Sequence, residues 1–172
     1  MFRTSQRHLV ITMLGLAACA PKRAVAPPEP HVAPNAPADA PVYATDTTVA
    51  AQLRRVLAPC FARARETYPS AKQRYLEGLS GRRSFFVSIN LRDADGRIEQ
   101  VFLAVDTLRV DSIRGRIWNE VTLVRGFQLR QSIIVPESEV LDWMFTNLDG
   151  SEEGNYVGKA VDQLRAGQQP EC

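Results

Sequence analysis

Histidine is nearly missing from this chain of 172 residues: His8 and His31 are the two present, and both precede residue 46. From residue 46 onward, where the folding pattern lies, no imidazole base exists, which excludes a Ser-His-Asp or Cys-His catalytic arrangement within one copy. Histidine-ligated zinc is excluded with it, and Cys60 and Cys172 are too few there for a thiolate zinc site. There is no Gly-rich phosphate loop with its lysine and no dinucleotide-binding fingerprint. An excess of charge of one sign is lacking as well. Residues 46–172 carry 17 basic and 17 acidic side chains, a balance that argues against a general nucleic-acid binder. The distribution is uneven, ten basic against five acidic over 46–97 and seven against twelve over 98–172. No stretch after the first 20 residues is long and apolar enough to cross a bilayer.

What is present begins at the N-terminus. Arg3, Arg7 and His8 form a basic start, Leu9 to Ala18 an apolar run, and Leu16-Ala17-Ala18-Cys19 follows as a lipobox. Residues 1–19 therefore read as a bacterial lipoprotein signal, with Cys19 the lipidated first residue of the mature chain. An ordinary cleaved signal and a chance apolar start are the competing readings. Ala20 rather than Asp follows the cysteine, which resembles the outer-membrane address of Gram-negative lipoproteins. The expected location is a lipid anchor facing the periplasm, on the inner leaflet of the outer membrane.

Residues 20–45 are dominated by Ala and Pro, including Pro21, Pro27, Pro28, Pro30, Pro34, Pro37 and Pro41. Such a segment has few apolar side chains to pack and few amide donors for ladders, so a disordered tether is expected. An extended polyproline chain rises about 3.1 Å per residue, enough to hold a following domain tens of ångströms from a membrane. Residues 46–172 are the right size for a single domain.

Within that domain, Leu53, Val56, Leu57, Cys60, Phe61, Ala64 and Tyr68 recur at helical spacing. Pro59 interrupts this stripe and predicts a kink or two abutting helices. Pro69 ends the run and can open a further turn bearing Ala71, Tyr75 and Leu79. The period then changes to two: Phe85, Val87, Ile89 and Leu91 alternate with polar residues, and Asp95-Gly96 signals a hairpin. Ile98 to Leu108 reads as a central strand, followed by strands from Ile113 through Val121 and from Phe127 to Val135. Leu141, Trp143 and Phe145 alternate again, and Val157, Ala160, Val161 and Leu164 mark a short C-terminal helix. The expectation is an α+β fold: N-terminal helices, an antiparallel meander of four to five strands, and a final helix. In an oxidising compartment Cys60 and Cys172 form an even pair suited to a disulfide; a buried free thiol beside a frayed end is the alternative.

Chemistry is sparse. Asp149, Glu152 and Glu153 cluster beside Gly150, Gly154 and Asn155, oxygen ligands that calcium favours, although the spacing is not that of an EF-hand. Such an acidic turn is usually only solvated, or caps the following helix, where negative charge suits the N-terminus. Glu99 and Asp142 could act as a paired acid and base if the fold brought them together. Trp118 beside Asn119 and Trp143 beside Asp142 offer aromatic recognition surfaces, although strand alternation favours Trp143 in the core. Neither a metal nor a cofactor is expected.

The stretches Glu99-Gln100-Val101-Phe102, Gly115-Arg116-Ile117-Trp118-Asn119-Glu120, Asp142-Trp143, and Asp149-Gly150-Ser151-Glu152-Glu153-Gly154-Asn155 with Gly158-Lys159 together resemble the YegJ-like bacterial domain family. Tyr68-Pro69-Ser70-Ala71 and Arg74 to Leu79 are similar to its helical lead-in, and the likeness covers roughly residues 60–164. Val121 and Gln128-Leu129 stand where many members carry a proline and a Gly-Asp. The resemblance implies a fold and no activity. These observations lead to a membrane-anchored lipoprotein with a small, non-catalytic binding or scaffolding domain. Glu99, Trp118, Asn119, Asp142, Trp143, Glu152, Glu153 and Asn155 are its candidate surface. Expected partners are the membrane, through lipid on Cys19, and an envelope protein or peptidoglycan; nucleic acid is not expected. A carboxylate-dependent hydrolase of an envelope polymer is the alternative.

Overall fold

The computed structural model describes residues 47–79 and 83–172. The expected lipoprotein signal with Cys19, and the expected tether over residues 20–45, lie outside the described residues. The elements run α1 (Thr47–Leu76), β1 (Ser84–Arg92), β2 (Ile98–Leu108), β3 (Ser112–Ile117) and β4 (Ser132–Pro136). A 3₁₀ turn (Glu137–Glu139), β5 (Asp142–Thr146), β6 (Glu152–Gly154) and α2 (Tyr156–Arg165) complete the chain. The fold is α+β.

α1 is one helix of 30 residues that carries both Pro59 and Pro69 inside it, where the sequence predicted a break. Each proline removes one amide donor, but both are exposed, so the carbonyls they leave unpaired face water. The apolar stripe continues unbroken beneath them. Leu57, Cys60, Ala64 and Ala71 are all buried along one face.

The strands form one antiparallel sheet in the order β4-β3-β2-β1-β5-β6, six strands rather than four or five. It departs from a simple meander because β5 returns to pair with β1, placing Val87 opposite both Leu103 and Trp143. Strand alternation divides the side chains. Phe85, Val87, Ile89, Val101, Leu103, Ile113, Ile117 and Phe145 face α1 and form the main core with Ala71. The other face carries Phe86, Ala104 and Met144, with half-buried Phe102 and Trp118. A second apolar cluster joins Leu57 and Cys60 of α1 to Val157, Ala160 and Val161 of α2. Cys60 is fully buried in it and is bonded to Cys172, the two Cα atoms 5.0 Å apart.

Residues 118–131 depart furthest from the expected strands. β3 stops at Ile117 and β4 begins at Ser132. The cause is polar. Glu99 points its carboxylate at the amides of Thr122, Leu123 and Val124, at 2.9, 2.7 and 3.0 Å, which bends that segment away from the ladder. Val121, Val124 and Phe127 still reach the main core from the loop.

Candidate functional site

The eight residues singled out as a surface do not form one. Glu99, Asp142, Trp143 and Asn155 are all buried, at 1–4% exposure. Trp143 packs in the core, edge-on to Phe145, and donates its indole N–H to Thr67 Oγ1 of α1 at 2.9 Å. Asn119 accepts the Phe102 amide at 2.7 Å through its side chain, in place of the next backbone bond, and so ends β3. Glu152 takes the Asn155 amide group at 2.8 Å. Glu153 pairs with Arg74, which lies over the Phe145 ring and holds the Glu153 carboxyl below its ordinary pKa. Asp149 accepts from the Ser151 amide and hydroxyl. The three acids of that turn thus face three different partners. Among the described residues no group of His, Cys, Asp and Glu is arranged to hold a metal ion. Trp118 remains half-buried, with the guanidinium groups of Arg116 and Arg130 at 6.0 and 5.7 Å from its ring centre.

Glu99 and Asp142 are held apart. In the register, Asp142 lies opposite Ser88 while Glu99 lies opposite Leu91, on the far side of β1. Three residues along and two strand spacings across put their Cα atoms on the order of 14 Å apart. Paired glycosidic carboxyl groups sit within roughly 5–9.5 Å of each other. Both are already engaged, moreover: Glu99 by the loop amides, Asp142 by the amides of Trp143 at 2.8 Å and Val157 at 2.7 Å. Asp142 thereby caps α2 from another strand, the role the sequence suggested for the acids of the preceding turn. Burial lifts its pKa to about 6, against the opposing pull of the Val157 and Trp143 amides and of the Lys159 charge.

The described surface opens at a cleft of about 570 Å³ beside Asp142. One wall is α1, through Ala64, Arg65 and Tyr68; the other is the strip from the 3₁₀ turn to β5, through Glu137, Ser138, Val140 and Leu141. Asp111, from the turn between β2 and β3, closes one end, its carbonyl accepting the Glu137 amide at 2.9 Å. Lys72 clasps both Glu137 oxygens at 2.7 Å, tying the strip to the helix. The Tyr68 hydroxyl is buried beside the Glu137 carboxylate, and burial, reinforced by that charge, pushes its pKa up. A volume of this size suits a small ligand or a short stretch of polymer.

Of these lining residues the sequence pointed to Asp142 for chemistry. Tyr68 and Lys72 stand four apart on one helix face, a local signal for a shared role. Nothing in the chain announces that Glu137, 65 residues beyond Lys72, meets them. No curated protein and no solved structure matches this chain. A family model described as an uncharacterized protein conserved in bacteria (DUF2314) matches residues 56–170, which run from within α1 through the whole sheet and past α2, and the chain belongs to that family.

Proposed function

We propose that this is a lipid-anchored protein of the bacterial cell envelope, an envelope form of the YegJ-like domain, whose folded part binds a partner and catalyses no reaction. The anchor rests on the basic start, the short apolar run and Leu16-Ala17-Ala18-Cys19. Each buried lipid CH₂ contributes about 0.8 kcal/mol, so acyl chains on Cys19 would hold the protein firmly. The observation that carries the binding half is the state of the buried carboxylates. Glu99 and Asp142 each bind backbone amides and stand far apart, while the cleft is lined by Arg65 and Asp111, which among the described residues enter no ion pair.

Mass analysis of the mature protein under non-reducing conditions tests the anchor. Acylation at Cys19, with Cys19→Ser moving the protein out of the membrane fraction, is expected. An unprocessed, soluble chain would end the envelope reading. Crosslinking in whole envelopes tests the binding role, and recovery of no specific protein or glycan would count against it.

A further inference from the structure

We infer that the cleft between α1 and the 137–142 strip takes an α-amino-acid head group, an ammonium beside a carboxylate on a short aliphatic arm. The inference rests on the binding role proposed above and names its ligand. Arg65 on the helix wall and Asp111 at the closing turn are both exposed, and among the described residues neither enters an ion pair or a side-chain hydrogen bond. Opposite charges that line one cleft without joining each other suit a molecule carrying both charges. Its carboxylate would meet the Arg65 guanidinium, a planar donor matched to that group. Its ammonium would meet Asp111.

The other walls agree. Glu137 is clasped by Lys72, and both Asp142 oxygens are taken by amides, so neither adds an open negative charge that would favour a plain cation. Ala64, Val140 and Leu141 also line the cleft and offer an apolar bed for the aliphatic arm that follows the head group. In a cell envelope such a head group occurs on free amino acids and on the diamino acids of the wall polymer. The chemistry is shared, and the sources separate experimentally.

Calorimetric titration of the purified full chain with 2,6-diaminopimelic acid, pimelic acid and 1,5-diaminopentane tests the inference. The first compound carries both charges; the others lack the ammonium or the carboxylate. The expected result is a dissociation constant on the order of 1 mM for diaminopimelic acid, with at least tenfold weaker binding of the other two. Arg65→Gln and Asp111→Asn each weaken it about tenfold with the thermal midpoint unchanged, since both side chains are exposed. Equal binding of all three compounds, none at tens of millimolar, or variants that bind as wild type would overturn it. Co-sedimentation with purified wall sacculi, lost in Arg65→Gln, assigns the polymer as the source. Binding of the free compound without sedimentation assigns a free amino acid, which upholds the cleft chemistry and removes the wall from the proposed function.

Discussion

The Asp142 carboxylate accepts the Val157 amide at 2.7 Å, so the first residue of β5 closes the N-terminus of α2 across 15 positions of chain. Asn155, immediately before the helix, sits in the left-handed region at φ 55° and makes no side-chain cap of its own. The cap therefore comes from the sheet, and helix and sheet cannot separate without exposing it.

The burial of this carboxyl group carries a pH dependence. Burial raises the folded-state pKa of Asp142 from 3.8 to about 6, so between those values the folded chain holds a proton that the unfolded chain has released. Its contribution is complete below about pH 4 and is lost as pH rises through about 6, a fall of roughly 2–3 kcal/mol. Urea unfolding at half-unit intervals measures it. In Asp142→Asn the slope between pH 4 and 6 should vanish, and a slope that persists would assign it elsewhere. Asp149 and Glu153, whose pKa values lie below the ordinary range, act in the opposite sense at lower pH.

Glu99→Ala removes the acceptor of three loop amides in a buried setting. Orphaned buried donors make such losses large, and about 3–5 kcal/mol is expected. Hydrogen exchange should locate the effect, with the amides of Thr122, Leu123 and Val124 losing protection first. A loss under about 0.5 kcal/mol, typical of a surface site, would show that the loop holds its shape without the carboxylate.

Two glycines discriminate steric crowding from backbone strain. Gly154 has φ +79°, and a Cβ there would overlap the Trp143 carbonyl and ring; Gly96 has φ +78° with open space around it. Gly96→Ala should cost about 1 kcal/mol for the left-handed conformation alone. Gly154→Ala should cost at least twice as much, read from thermal midpoints compared at one pH. Equal costs would mean that Trp143 yields readily.

Cys172→Ser tests the disulfide without opening a hole in the core, because Cys60 is the buried partner and Cys172 is exposed. The bond spans 112 positions, and the chain-entropy account assigns such a loop on the order of 4–5 kcal/mol. Chemical reduction of the wild type should lower the unfolding midpoint to that of the variant. If reduction leaves the midpoint unchanged, the bridge contributes nothing.

Elements with a regular period were legible. The β1–β2 hairpin follows from alternation around Asp95-Gly96, and α2 follows from Val157, Ala160, Val161 and Leu164. Continuity of α1 through Pro59 was not, because a local rule about proline says nothing of the partners that bury Leu57, Cys60 and Ala64. The strand predicted through Val121 failed for a related reason. Its apolar residues do reach the core, but Glu99 redirects the backbone, and a carboxylate 23 residues away leaves no mark on local periodicity. Most of the candidate site escaped in the same way. Acidic and aromatic residues attract attention in a sequence, yet Glu99, Asp142 and Trp143 are held inside the fold. The cleft instead draws on Arg65, Tyr68 and Asp111, ordinary residues that become neighbours through tertiary structure.

Joining Cys172 to the middle of α1 closes residues 60–172 into a covalent ring, and both walls of the cleft belong to it. Were the protein stretched between an N-terminal anchor and something gripped in the cleft, the pull would enter the ring at Cys60, close to where α1 begins to line the cleft at Ala64. The disulfide then gives the load a second covalent route, through α2 and β6, to the wall at residues 137–142. Breaking that one bond would let the far end of the chain come loose.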